Sequence, residues 1–278
     1  MKNNKIQISS IVATIIIGLL AVVFMVPLIW MVLSSLKPVT EVFATPFRWL
    51  PSKWQWTNYA EVWNDAYASM FKSFLNSFFV VAVSLVGSLS IASLAAYGFA
   101  KIKFPGKDFI FMLFLASMMI PSQVTIIPTY MLFQKLKLYD SLWAVALPTW
   151  FNVTSIFMLR QFYIGLPDAL MEAAQIDGAN HPRIFAQIML PLTKPAMTSL
   201  AVLGFVSSWN EYLYPLIFVV SPEKFTVAQV IRYWLLDEFK RYNLTMASAT
   251  LAIVPVLILF LLCQKRFIEG VATSGLKG

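Results

Sequence analysis

Six stretches of about twenty residues or more run through this chain almost without charge, and only one acid, Glu211, falls inside any of them. A bilayer core about 30 Å thick takes roughly 20 apolar residues of helix. The spans are therefore predicted at about 11–33, 73–100, 109–131, 141–159, 195–220 and 242–264. Among 278 residues, 59% are hydrophobic and only 12% charged, and the mean hydropathy is +0.73. Ordinary soluble domains carry about twice that share of charge. The reading is an all-α integral membrane protein forming a single transmembrane domain over residues 1–278.

The first span, behind Lys2 and Lys5, is too long for a signal-peptide core of roughly 7–15 residues and reads as a retained helix. In the second, Gly87 lies among Ser84, Ser88, Ala92 and Ala95, a small-residue face that lets a neighbouring helix approach closely. The third contains Pro121 and Pro128. Each removes a backbone donor, which hydrocarbon tolerates only where protein or water satisfies the freed groups, so this helix is expected to be broken and to line an interior. The fourth holds Pro148, Asn152 and Thr154. The fifth is interrupted by Asn210, Glu211 and Pro215, and the sixth carries Pro255.

Among the connectors, residues 37–72 are long and place Trp49, Trp54 and Trp56 where an interface suits them; Thr57 to Met70 is predicted to form a short surface helix. Lys101 to Asp108 is a tight basic turn around Pro105-Gly106. Ser221 to Arg241 is expected to be partly helical.

Six spans put both termini on one side of the membrane. Assigning the tails, the 101–108 turn and the 160–194 connector to that side collects 11 of the 21 basic residues, so the whole count barely decides the orientation. Lys2 and Lys5 flanking the first span, and three lysines in the short turn, favour a cytoplasmic side. The net charge of +8 is scattered in short clusters between apolar runs, which suits anionic headgroups and loop orientation rather than nucleic acid.

No G-x-x-x-x-G-K-[ST] loop is present, so nucleotide hydrolysis by that route is not expected of this chain. The single histidine, His181, stands beside Pro182 and reads as a solvated or contact residue, which leaves no Ser-His-Asp site and no His-rich metal centre. The single cysteine, Cys263, excludes an intrachain disulfide and reads as a packed apolar residue.

The most informative stretch is polar. In Pro167 to Gly178, Pro167 pre-sets a helical φ, and Asp168 and Glu172 put negative charge near the helix start. Gly178 is suited to a left-handed end, and Asn180 is suited to cap a second short helix with Pro182 in its first turn. The predicted unit, residues 167–191, is a helix, a turn and a helix outside the membrane. Ala173 and Ala174 are expected to give the first helix a slim face for close docking against another protein. Asp177 opposes the helix dipole in the last turn. An amphipathic helix resting on the bilayer or on the chain itself accounts for the same residues.

Glu172-Ala173-Ala174, then Gly178, then after nine residues Ile188 followed by Leu190-Pro191, resembles the full EAA signature of permease subunits of binding-protein-dependent ABC importers, the MetI-like transmembrane domain. With six spans, the signature between spans four and five, and Ser208-Trp209-Asn210-Glu211-Tyr212 ahead of Pro215, the chain is similar to the smaller permease of maltose-type carbohydrate importers. That resemblance implies a type I importer fold in a bacterial-type inner membrane with cytoplasmic termini. It implies a homologous second permease, two ATPase subunits that use ATP and Mg, and an extracytoplasmic solute-binding protein. This chain would bind no cofactor and be no enzyme. Glu172, Ala173, Ala174, Asp177, Gly178, Ile188, Leu190 and Pro191 would form the element coupled to the ATPases.

Candidate pathway or substrate groups are Ser122 and Gln123 on span three, Asn152, Thr154 and Ser155 on span four, and Asn210 and Glu211 on span five. An acid inside a membrane segment is a functional candidate, although Asn210 and Glu211 read equally as an interhelical brace. Two other cargo readings stay open: a non-sugar solute such as a glycerol phosphate ester, and ion-coupled secondary transport with Glu211 as the coupling carboxylate.

Overall fold

A computed structural model describes residues 8–275, with side chains over residues 10–264. The flanking charges Lys2, Lys5 and Lys277 lie outside the described residues, as do the side chains of Lys265 and Arg266. Among the described residues the fold is helical, with no strand. In chain order the helices are α1 (Ile8–Ser35), α2 (Thr57–Asn64), α3 (Met70–Lys101), α4 (Lys107–Ser117), α5 (Ser122–Lys135), α6 (Leu142–Ala146), α7 (Val153–Ile164), α8 (Ala169–Ile176), α9 (His181–Ile184), α10 (Leu190–Leu192), α11 (Lys194–Trp209), α12 (Leu213–Phe218), α13 (Val227–Leu235) and α14 (Tyr242–Gly275).

Four helical segments are long and apolar enough to cross a membrane: Ser10–Ser35, Met70–Lys101, Leu142–Ile164 and Tyr242–Gln264. Two bent pairs bring the number up to six when each is counted as one span: α4 and α5 meet at 96°, and His181–Leu192 meets α11 at 72°. The first bend falls at Met118–Pro121, as the missing Pro121 donor predicts. Pro128 breaks nothing and stays inside α5. Span four extends to Ile164, five residues beyond the predicted Leu159, because its break sits early: Leu147–Trp150 forms a 3-10 turn around Pro148, and Asn152 restarts the helix as α7. Span five is helical through α11, opens at Asn210–Tyr212 and resumes as α12, with Pro215 accommodated near its start.

Contacts divide the chain into two compact units. One comprises residues up to 71 together with 230–254. Its centre is Asn58, whose buried amide donates to the Ser35 and Lys37 carbonyls (2.8 and 3.1 Å) and accepts from Asn243 (3.1 Å). These bonds tie the end of α1, the start of α2 and the start of α14 where bare backbone would otherwise be buried unpaired. Lys37 is fully buried, donates to the Arg48 carbonyl at 2.5 Å and lies over the Phe47 ring; burial holds its amine below the usual lysine range, against the pull of Glu41.

The other unit comprises 72–229 and 255 onward. Its principal core gathers Ala92, Ala96, Tyr97 and Phe99 of α3 with Ile156, Leu159 and Tyr163 of α7, and with Met171, Ala174, Ile184 and Met189 of the polar loop. The small-residue face of α3 does what its spacing predicts. Trp150 lies across Gly87, so close that a Cβ there would stand 2.0 Å from the indole, and the indole Nε1 donates to the Val83 carbonyl (2.9 Å). At the start of α3, Asn76 donates to the Glu223 and Phe225 carbonyls, and Ser77 accepts from the Val227 nitrogen.

Candidate functional site

The polar loop folds as its residues predict. α8 follows Pro167 and is closed off by Gly178, two residues past its end, whose φ of +78° is the left-handed conformation glycine adopts without strain. The Gly178 nitrogen donates to Gln175 and the Ala179 nitrogen to Ala174, a paired closure that satisfies two of the last carbonyls of the helix. The side chain of Asn180 then accepts from the Arg183 nitrogen (3.1 Å) and starts α9, with Pro182 in its first turn.

Beyond α9, Phe185–Met189 widens into a π-turn, in which the Leu190 nitrogen donates to the Phe185 carbonyl. A proline at 191 has no N–H to return to its own preceding turn, and a widened turn relieves the resulting clash. Ile188 and Leu190 are half-buried, with Ile188 packed on the core, while Pro191 is exposed. These three residues set how α9 leads into α11.

α8 has two faces. Met171 and Ala174, three residues apart, turn into the core, whereas the other six residues of α8, Leu170, Glu172, Ala173 and Ile176 among them, are exposed. Ala174 is therefore a packing residue of this chain, and the slim outward face predicted for both alanines belongs to Ala173 alone. Asp177 and Gly178, after the helix, are exposed. Sequence reasoning missed Ile176, which is 86% exposed. The signal was available: an isoleucine between Gln175 and Asp177, off the inward register set by Met171 and Ala174.

α8 is held on both sides by α3. Lys101 Nζ donates to the Leu166 carbonyl (2.7 Å) and to Asp168 Oδ1 (2.5 Å), so Asp168 serves that ion pair rather than capping α8. The lysine beside it holds the Asp168 carboxyl below the usual carboxylate range. After α8, His181 Nδ1 lies 3.0 Å from the Tyr97 hydroxyl. Arg160 Nε donates to the Phe99 carbonyl, and its guanidinium lies 4.1 Å from the centroid of the Phe111 ring. No feature of the sequence paired these residues.

The remaining candidates fall at helix breaks. Ser122 and Gln123 are exposed at the start of α5, directly after the 96° bend. Asn152 caps α7 by accepting from the Ser155 nitrogen (2.9 Å); Thr154 is exposed and Ser155 buried. Glu211 Oε1 accepts from the Leu213 and Tyr214 nitrogens (2.9 and 3.1 Å), and Asn210 donates back to the Val206 carbonyl. Glu211 thus pairs the free donors at the start of α12, a local role instead of the interhelical brace considered from sequence. Contacts link these breaks only in part: Phe151 packs against Phe114 of α4, and Phe218 of α12 against Phe133 of α5.

A family model described as "Binding-protein-dependent transport system inner membrane component" matches residues 88–272. The chain is 34% identical, over the full length of both proteins, to the arabinooligosaccharides transport system permease protein AraQ of Halalkalibacterium halodurans. It is 33% identical to the sn-glycerol-3-phosphate transport system permease protein UgpE of Pectobacterium atrosepticum, over 94% of each chain. A bacterial ABC transporter involved in the import of the acidic polysaccharide alginate contains a chain of the same fold, with a TM-score of 0.79 at 22% identity over 95% of this chain and 98% of that one.

Proposed function

The chain belongs to the family of binding-protein-dependent transport system inner membrane components, and on that premise we propose that it is one permease subunit of an ATP-driven importer for a sugar or oligosaccharide. It is a membrane-embedded transport subunit, not an enzyme. It forms half of the translocation pathway with a homologous second permease, receives solute from an extracytoplasmic binding protein, and is driven by two ATPase subunits that use ATP and Mg. Both termini face the cytoplasm in a bacterial-type inner membrane, where the 101–108 turn and the 167–191 loop meet the ATPases.

The observation that carries this reading is the build of α8. Its inward face is buried in the chain's own core and its ends are tied to α3, yet Glu172, Ala173 and Ile176 stand outward with a bare isoleucine among them. A loop helix that served only its own chain would bury Ile176 as it buries Met171. Carried by the resemblance, Glu172 makes polar contacts with the ATPase, Ala173 permits close approach, and Gly178 supplies the turn. Ser122, Gln123, Asn152, Thr154, Asn210 and Glu211 are proposed to face the pathway at the helix breaks, where non-helical backbone requires water or protein beside it.

A second cargo, a glycerol phosphate ester, is favoured by the similarity to sn-glycerol-3-phosphate permeases, since the coupling loop reports the motor and not the solute. The deciding experiment reconstitutes the complete complex and measures which solutes, presented by its binding protein, stimulate ATP hydrolysis. Stimulation by arabino- or related oligosaccharides supports the sugar reading. Stimulation by glycerol phosphate alone replaces it, and uptake that needs no ATPase ends the importer reading. In the same complex Gly178→Asp is expected to assemble and to lose uptake, and full uptake in that variant would remove the loop from coupling.

A further inference from the structure

Tyr97 and Lys101 lie one helical turn apart near the end of α3 and so project from the same face. They hold the coupling loop on opposite sides of α8. Lys101 grips the entry, through the Leu166 carbonyl and Asp168, and Tyr97 meets His181 beyond the left-handed Gly178. The core beneath, in which Tyr97 packs with Met171 and Ala174, closes the third side. α8 is thus bound to α3 more completely than its short connections to α7 and α9 require.

α3 is also suited to carry displacement. It is one unbroken helix without proline, whereas the third, fourth and fifth spans are all broken. From Asn76 to Lys101 it extends for roughly 37 Å. At its far end Asn76 holds the Glu223 and Phe225 carbonyls, and Ser77 accepts from the Val227 nitrogen. That segment is bonded in turn to α12: the Gln229 side chain donates to the Pro215 and Val219 carbonyls and accepts from the Thr226 nitrogen. α12 begins at the Glu211 break. Hydrogen-bonded contacts therefore run from the coupling loop, along one rigid helix, to the opening in span five.

We propose that α3 is the strut through which the coupling loop moves the Asn210–Tyr212 break, and that Tyr97 and Lys101 are positioning residues clasping α8 to it. The proposal rests on the importer reading, so its test has an arm that needs no partner. In the full-length chain purified alone, with Cys263 replaced by serine and spin labels at Ser90 on α3 and Gln175 on α8, a narrow distance distribution is expected. Tyr97→Phe and Lys101→Met are each expected to broaden it. In the reconstituted complex, the ratio of solute moved to ATP hydrolysed is expected to fall about fivefold in Tyr97→Phe, the change that follows from losing one ordinary hydrogen bond. His181→Ala is expected to do the same, the double variant to be no worse than either single one, and His181→Gln to restore the ratio.

An unchanged label distribution in both variants overturns the clasp. A ratio unchanged in Tyr97→Phe, single effects that multiply in the double variant, or a fall in assembled complex that matches the fall in uptake overturns the coupling role. A wild-type complex that does not respond to nucleotide defeats the importer reading, while the label measurement still decides the clasp.

Discussion

The Asp140 carboxylate encloses the backbone of Ser221. One oxygen accepts from the Ser221 and Val220 nitrogens at 2.9 Å each, and the other accepts from the Ser221 hydroxyl at 2.5 Å and from Lys224 at 2.9 Å. Asp140 sits in the turn before α6 and Ser221 in the turn after α12, so the pair joins the start of span four to the end of span five. Burial by itself would raise the Asp140 pKa, but the bonds from Ser221, Lys224 and Val220 outweigh it and hold the carboxyl well below its ordinary value. A depressed native pKa stabilises the fold above the unfolded value of about 3.9 and loses that effect as pH falls toward the native value. Asp140→Ala is expected to cost about 2 kcal/mol at neutral pH. Asp140→Asn is expected to flatten the loss of thermal stability as pH falls below about 4, as followed by unfolding in detergent.

Glu211→Gln is expected to leave uptake and solute affinity close to wild type. The amide oxygen still accepts from Leu213 and Tyr214, so the start of α12 stays paired. Glu211→Ala removes the acceptor and is expected to destabilise the chain by about 1 kcal/mol. Uptake assays on both variants check this, and abolished uptake in Glu211→Gln would instead mark a working carboxylate, as an ion-coupled carrier needs.

Ile176 is 86% exposed, so Ile176→Ser removes almost nothing from the chain's own packing. Its thermal unfolding is expected to be unchanged. Binding of the ATPase subunits is expected to weaken about tenfold or more, because an isoleucine buried at an interface is worth about 1.5–3 kcal/mol. Co-purification across a range of ATPase concentrations measures the shift.

Gly87→Ala puts a methyl group into the space of the Trp150 indole, which cannot withdraw without giving up its bond to the Val83 carbonyl. Overpacking of that kind costs about 1–3 kcal/mol. Combining it with Trp150→Phe, which shortens the ring system, is expected to recover part of the lost thermal stability. A Gly87→Ala chain as stable as wild type would show that α3 and the 3-10 turn can slide apart.

Helix positions were legible because in a bilayer length and apolarity are themselves the physical requirement, and charge-free runs report both. Breaks were legible where a proline removes a donor at a point with no alternative partner, as at Pro121; Pro128, seven residues further on, stays inside α5. The polar loop was legible in its conformation for a related reason. Pro167, Gly178 and Asn180 act through their own backbone preferences, and each does so here.

What a side chain at a given position touches was not legible. Ala173 and Ala174 are the same residue type, and only the docking of α8 on the core built from α3 and α7 buries one and leaves the other exposed. Asp168 resembles a helix cap until Lys101, 67 residues away, takes its carboxylate. By itself the sequence determined the membrane class, the run of helices and the shape of the 167–191 loop, because those follow from hydrophobic length and local backbone chemistry. The tertiary structure alone decided that Ala174 turns inward while Ile176 stands outward, and that Tyr97 and Lys101 bind the loop to α3, because those outcomes depend on groups far apart in the chain meeting in space.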